Sequence, residues 1–396
     1  MFAQKTRALQ DAHIAYRALF PWVGKLLDES DLATYDTFRH SATLSPNMLR
    51  ENYHPSTVDF KGASIYRTSG TRTGQGRLVL WSNSDELRYL RNRKDVIEKF
   101  TAGLGRAKLA ISDLGTGHAA ATASTIFEQL GFGCRAIDFS LPISEHIEII
   151  SNYRPSVLFT MPMILERLIA GGWVNHGVDR LILLGDLAPQ SWRAQIEDTL
   201  KLAPNCILDL YGSIEVGAIA YFEVNLGLYL LHDDLFAEVK EEGCDVHLTA
   251  CGGDGELVLT STSRQYFPVI RYCTGDVVKG LCEIEHQGRR RQAVHEIVGR
   301  TGSHYKHGEK ISQKDLACVV QETFGAKPFT VTENLGLGIS VVTDQITEED
   351  LQTFREKLKK YAPDVCQMIE SGLVHDIQIR SIEDKDLIMS RGKRKL

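Results

Sequence analysis

The chain has 396 residues, with 45 basic and 51 acidic side chains and a formal charge of −6. Apolar residues make up 43% and charged residues 24%, ordinary globular values that exclude long disorder, a collagen-like repeat and a disulfide miniprotein. At about 100–200 residues per domain, two or three domains are expected. The mild acidity offers no excess positive field for nucleic-acid phosphates.

The opening residues, Met1 to Trp22, contain no continuous apolar core of signal-peptide length. No stretch approaches the roughly 20 apolar residues of a membrane span. A cytoplasmic protein without a membrane partner is expected. Its eight cysteines would then be free thiols, and no Cys-x-x-Cys pair is present. Cys244, Cys251, Cys273 and Cys282, with His232 or His286, are the one set to weigh for zinc, though their spacing matches no tight knuckle.

Residues 1–60 read as helical, with polar breaks around Asp28–Asp31 and Ser45–Asn47. A loop rich in Gly, Thr and Ser follows, Thr68 to Arg77, and then a short apolar strand at 78–81. Ser84-Asp-Glu-Leu opens a helix to about Gly103. Strand candidates at 108–111, 134–139, 156–160, 180–184 and 206–210 then alternate with helix candidates at 122–130, 143–152, 163–170 and 191–200. This alternation is the pattern of a mainly parallel sheet with crossover helices. After Tyr221 the character changes. Runs at 228–231, 235–239, 255–260 and 269–272 have no long helices between them, which predicts an antiparallel meander or small barrel. Gly288-Arg-Arg-Arg-Gln reads as a polar turn. Past Arg300 the pattern is α+β: helices at 314–324 and 348–361, strands at 338–343 and 373–379, and a basic tail, Ser390 to Leu396.

Four short motifs carry chemistry. In Thr68–Gly76, glycines turn backbone N–H groups toward an anion and hydroxyls add donors, a phosphate-cradling composition without the Gly-Lys-Ser/Thr of a P-loop. Asp209-Leu-Tyr-Gly-Ser-Ile-Glu215 follows a strand, at the end where α/β sheets bind ligands. A Tyr-Gly turn with a carboxylate three residues on suits a base and a divalent cation on a triphosphate. Arg271-Tyr-Cys-Thr-Gly-Asp276 ends a strand in a carboxylate that suits ribose hydroxyls. Gly299-Arg-Thr-Gly-Ser-His-Tyr-Lys-His-Gly308 reads as a hinge into the last domain. Read singly, each is also a surface loop, a capped turn or a linker.

In this order and spacing, the motifs resemble those of the adenylate-forming superfamily of acyl- and aryl-CoA ligases and carrier-protein-loading enzymes. Within it the likeness is strongest to phenylacetate–CoA ligases and the coenzyme synthetases grouped with them. The resemblance covers about residues 30 to 396. It implies an α/β fold, with a large N-terminal domain (1–299) holding mainly parallel sheets plus an antiparallel or barrel-like part. A small mobile α+β domain (300–396) would follow. Thr68, Ser69, Gly70, Thr71 and Gly74 would embrace the ATP triphosphate, and Glu215 would bind magnesium. Asp186, Asp209, Tyr211, Gly212 and Ser213 would surround the nucleotide, and Asp276 and Arg300 would hold its ribose. Lys393, following Gly392, would reach the reacting carboxylate and α-phosphate, with Lys395 as the alternative. Lys306 and Gly308 would serve the second step. Gly117, His118 and Gly185 would line the acid pocket.

The activity implied is ATP-dependent conversion of a small, aromatic carboxylic acid to an acyl-adenylate, then transfer to a thiol of coenzyme A or of a carrier protein's phosphopantetheine. An acyl-protein synthetase-like transferase and a non-catalytic nucleotide-binding relative are the alternatives. Three positions depart from the family pattern: Arg72-Thr73 with Gln75-Gly-Arg77 in the first loop, Cys273 in place of an arginine, and Ser303 at the hinge.

Overall fold

The predicted change of character after Tyr221 is present in the computed structural model. Parallel strands with crossover helices occupy the middle of the chain, antiparallel strands follow, and a separate small C-terminal domain closes it. The structure describes residues 2–55, 62–68, 77–105, 108–115, 118–241, 248–301, 304–307, 309–333, 337–372, 374–387, 389–390 and 393–394. Contacts divide it into two units: Met1–Ile97 with Leu210–Thr301, and Glu98–Asp209 with Gly302–Leu396.

In the first unit, five described strands pair antiparallel, in the order Leu248–Thr249, Leu235–Lys240, Gly255–Ser261, Tyr272–Lys279 and Glu296–Arg300. A second antiparallel set runs from Cys282–His286 through Arg289–Val294, Leu228–Leu231 and Gly217–Glu223 to the Leu210–Ser213 end of the strand Ile207–Ser213. The helix Phe2–Leu19 brings Phe2 against Phe38 and Phe236, with ring centroids 5.0 and 5.3 Å apart. Beside that cluster, buried Arg271 pairs with buried Glu238 at 3.0 Å. Burial nonetheless raises the Glu238 carboxyl above its ordinary range.

In the second unit, Arg180–Leu184, Val157–Thr160, Leu109–Asp113 and Gly133–Ala136 pair in parallel in that order. The C-terminal domain has its own core. Leu316, Val319 and Val320 of the helix Gln313–Phe324 pack with Phe354 and Leu358 of Glu348–Tyr361, and with Phe329, Ile339 and Val341. Among the described residues no helix is long and apolar enough to cross a membrane.

Several elements differ from the sequence reading, each for a local reason. Of the run 269–272 only Tyr272 is strand: Val269 and Ile270 are core, Arg271 adopts a left-handed φ of 44°, and the strand begins at Tyr272. The three arginines after Gly288 belong to a strand, because Gln287 and Gly288, with φ of 54° and 72°, complete the turn alone. Ser45 caps a helix, Pro46–Asn52, where a break was expected, its side chain accepting from Met48 N at 3.3 Å. The helix Asn83–Thr101 is capped two residues earlier than expected, through reciprocal bonds between Ser82 and Asp85. A helix at Pro363–Glu370 stands where none was read, and the following strand is Gln378–Ile382. Part of the basic tail forms a ladder, Met389–Ser390 against Lys393–Arg394.

Candidate active site

The Gly/Thr/Ser loop is closed by a hairpin. Ser64–Arg67 pairs with Leu78–Trp81, and the ladder extends one step beyond Arg67 and Leu78. Thr68 N donates to Arg77 O at 2.8 Å, and Arg77 N donates to the Thr68 hydroxyl at 2.9 Å. Thr68 is therefore fixed at the loop's mouth. Ser69, Gly70, Thr71 and Gly74 lie outside the described residues. The Arg77 guanidinium donates to Pro46 O at 3.3 Å.

The second motif lies within a strand and its turn. Asp209 to Ser213 belong to Ile207–Ser213, so the strand runs further than the apolar run suggested. Gly212 is required sterically: a Cβ there would lie 2.5 Å from both Arg93 Nη2 and Gly217 O. The Ser213 hydroxyl accepts from Val216 N at 3.1 Å and shapes the turn carrying Glu215. Two buried side chains hold that turn from behind. Trp81 Nε1 donates to Ile214 O at 3.0 Å, and Arg264 Nε donates to Glu215 O at 3.0 Å. The Arg264 guanidinium lies over the Trp81 ring, 4.4 Å from its centroid, and pairs with Asp85. Asp85 also accepts from Ser82 N, Gln265 N and Tyr266 N at 3.0, 2.8 and 3.2 Å. None of the four chemistry-bearing motifs contains Asp85, Trp81 or Arg264. They lie far from Glu215 along the chain, in segments whose local pattern signals only a helix start, a strand end and a polar loop.

The third and fourth motifs meet across a ladder. Asp276 and Arg300 stand directly opposite on neighbouring strands, and Arg300 Nε lies 3.0 Å from Asp276 Oδ1. The other carboxylate oxygen accepts from the Tyr211 hydroxyl at 2.5 Å. Asp276 raises the Arg300 pKa against the opposing effect of burial. Burial, then Asp276, pushes the Tyr211 phenol well above its ordinary value, so it stays a proton donor. Burial raises Tyr272 as well, with Glu215 adding to the shift. Glu215, Tyr211, Tyr272, Asp276 and Arg300 thus form one neighbourhood of the first unit.

Other predicted residues belong to the second unit. Asp209 is buried, and its carboxylate lies 3.0 Å from Arg193 Nη1, which also donates to Ala188 O at 2.8 Å. Gly185, with a φ of 110°, and Asp186 follow the strand Arg180–Leu184. His118 is the buried first residue of the helix His118–Gln129, and Gly117 lies outside the described residues. A pair not anticipated from sequence ends the strand Leu109–Asp113: Asp113 Oδ1 lies 2.9 Å from His146 Nδ1, both residues buried. Lys306 and Lys393 are placed by backbone in the strands His304–His307 and Lys393–Arg394. Their side chains, with Gly308 and Lys395, lie outside the description.

Among the described residues, no three of His, Cys, Asp or Glu gather as a metal site, and Cys244 is not described. A lone carboxylate such as Glu215 suits magnesium, which takes few protein ligands and shares phosphate oxygens with its nucleotide.

Comparison with known proteins gives a consistent picture. Residues 306–383 match the family described as the fumarate–diaminopropanoate ligase C-terminal domain. The fumarate–(S)-2,3-diaminopropanoate ligase of Enterobacter agglomerans is 35% identical over 383 residues, covering 96% of each chain. A phenylacetate–coenzyme A ligase of Pseudomonas putida is 27% identical over 179 residues, covering 43% of this chain and 39% of that one. The crystal structure of a 2-hydroxyisobutyryl-CoA ligase in its postadenylation state has the same fold, with a TM-score of 0.72 at 16% identity over 98% of this chain and 87% of the other. The chain belongs to the adenylate-forming ligase superfamily, in the family of the fumarate–(S)-2,3-diaminopropanoate ligase.

Proposed function

We propose that this protein uses ATP to convert a small carboxylic acid to its acyl-adenylate and then joins the acyl group to an amine as an amide. The observation that carries this reading is the 35% identity to the fumarate–(S)-2,3-diaminopropanoate ligase across 96% of both chains. Fumarate and 2,3-diaminopropanoate are the acid and amine to try first.

A carboxylate is a poor electrophile. In the first step its oxygen attacks the α-phosphorus of ATP, the bond to the bridging oxygen breaks, and pyrophosphate leaves. In the second the amine nitrogen attacks the acyl carbon, loses a proton, and AMP leaves. Asp276 and Arg300, clasped at 3.0 Å, hold the ribose. Thr68 and the loop after it hold the phosphates. Glu215 would hold the magnesium ion, which offsets charge on the triphosphate. Lys393 supplies positive charge to the reacting carboxylate and α-phosphate. Lys306 serves the second step.

A thiol acceptor, coenzyme A or a carrier-bound phosphopantetheine, is the second reading, with an aromatic acid as substrate. The partial match to a phenylacetate–coenzyme A ligase favours it. One assay separates the two. Enzyme, MgATP and either fumarate or phenylacetate are incubated with 2,3-diaminopropanoate or coenzyme A, and pyrophosphate, AMP and product mass are read. An amide supports the first reading and a thioester the second. Confirmed ATP binding with no pyrophosphate from any acid in a broad panel refutes both.

A further inference from the structure

The last segment of the chain, which carries Lys393, is held to the parallel-sheet body by adjacent residues of one helix. In Pro162–Ala170, Arg167 meets Asp384 side-on: Nε to Oδ1 at 2.6 Å and Nη2 to Oδ2 at 2.6 Å. Both carboxylate oxygens are used, the geometry that makes an arginine pair strong and directional. The preceding Glu166 is fully buried. It accepts from Trp192 Nε1 at 3.0 Å and from Gln321 Nε2 at 3.4 Å. Gln321 lies on the helix Gln313–Phe324, and its carbonyl accepts from Gln195 at 3.5 Å. One helix therefore grips residues 302–396 twice, at their first helix and at the turn Asp384–Asp386 just before the lysine.

The tether from this turn to the lysine is a few residues long. Ser390 stands opposite Lys393 in the terminal ladder, so the Lys393 backbone stays beside residue 390. At about 3.5 Å per residue, position 390 lies within about 21 Å of Asp384. The Asp384 turn therefore limits how far from the helix the ladder carrying Lys393 can lie.

We propose that Arg167 and Asp384 are positioning residues for the adenylation step, fixing the segment that presents Lys393. This rests on the assignment of Lys393 to that step. Neither residue touches substrate. They act through placement, so their loss should slow turnover without weakening nucleotide binding.

The test uses Arg167→Gln, Asp384→Asn and Arg167→Lys in the full chain. Hydrogen exchange of peptides spanning 162–170 and 378–387 reads the contact without any substrate. It should rise several-fold in Arg167→Gln and Asp384→Asn and by less in Arg167→Lys, which keeps the charge but not the fork. Unchanged exchange overturns the proposal. Fumarate-dependent ATP–pyrophosphate exchange, or exchange with whichever acid the wild type accepts, then reads the chemistry. kcat should fall about tenfold in Arg167→Gln and Asp384→Asn at an unchanged KM for ATP. A raised KM with kcat intact, or no change in either, also overturns it. Lys393→Ala run alongside keeps the two claims apart: if it exchanges normally, the lysine assignment fails and the positioning claim fails with it, whereas loss there with unchanged kcat in the pair variants refutes positioning alone.

Discussion

Asp85→Asn is the perturbation whose size follows most directly from the structure. The Asp85 and Arg264 side chains are both 0% exposed. The substitution keeps shape and removes one charge. Arg264 would keep its bonds to Leu80 O at 2.7 Å and Glu215 O at 3.0 Å, and its place over Trp81. Its positive charge would have lost the carboxylate it is paired with, far from water. In either orientation the new amide nitrogen also faces at least one N–H donor, since both Asp85 oxygens now accept from backbone amides. Breaking a buried ion pair from one side costs about 3–5 kcal/mol. The matched control is Asp376→Asn. It breaks the Arg355–Asp376 pair at 2.6 Å, whose side chains are 66% and 47% exposed, and should cost about 0–1 kcal/mol. Urea unfolding followed by tryptophan fluorescence measures both, with Trp81 reporting on the site. If Asp85→Asn costs no more than Asp376→Asn, the buried pair does not stabilise the turn behind Glu215. The magnesium requirement for pyrophosphate release should also rise, because that turn loosens.

Lys393→Ala should abolish acid-dependent ATP–pyrophosphate exchange while ATP still binds; exchange near the wild-type rate, lost instead in Lys395→Ala, would move the role to the second lysine. Glu215→Gln should raise the magnesium concentration for half-maximal activity severalfold, and an unchanged magnesium titration refutes its assignment. His232 is buried, and burial with Arg93, Arg291 and Arg88 nearby outweighs Asp234 and lowers its pKa to about 3. The unfolded chain, at the ordinary 6.5, takes up a proton that the folded chain refuses, so stability falls as pH drops from 6.5 toward 3. Urea midpoints at pH 7 and pH 4.5 should converge more closely in His232→Gln than in wild type, and equal slopes refute this.

Where a local pattern was strong, the sequence was enough. Arg180–Leu184 and Leu78–Trp81 are strands with the bounds their apolar runs suggest. Glu348–Tyr361 carries its own start signal, a Thr347–Asp350 capping box. Reading failed where tertiary contacts set the backbone. Val269–Ile270 is as apolar as any strand, yet the Arg271–Glu238 pair and the left-handed turn at Arg271 end the extended run. The helix Pro363–Glu370 is short and buries Val365 and Cys366 against a core that no window of sequence contains. The same division runs through the site. Asp276, Arg300, Tyr211 and Glu215 lie in motifs and are neighbours in space. Arg264, Asp85 and Trp81, which hold the Glu215 turn, became visible only once distant segments were folded together.

The clasp on Asp276 bears on how a nucleotide would be captured. Arg300 takes one carboxylate oxygen and Tyr211 the other, so the group cannot swing. Its rotational freedom is given up when the chain folds, not when a ligand arrives. A ribose met by this carboxylate would find an acceptor already oriented, with only its remaining lone pairs to offer. Ordering this residue then adds little to the entropy of binding. Replacing Tyr211 by Phe would return part of that freedom, Arg300 keeping its hold on one oxygen. Its signature in a calorimeter would be a less favourable binding entropy rather than a large loss of enthalpy.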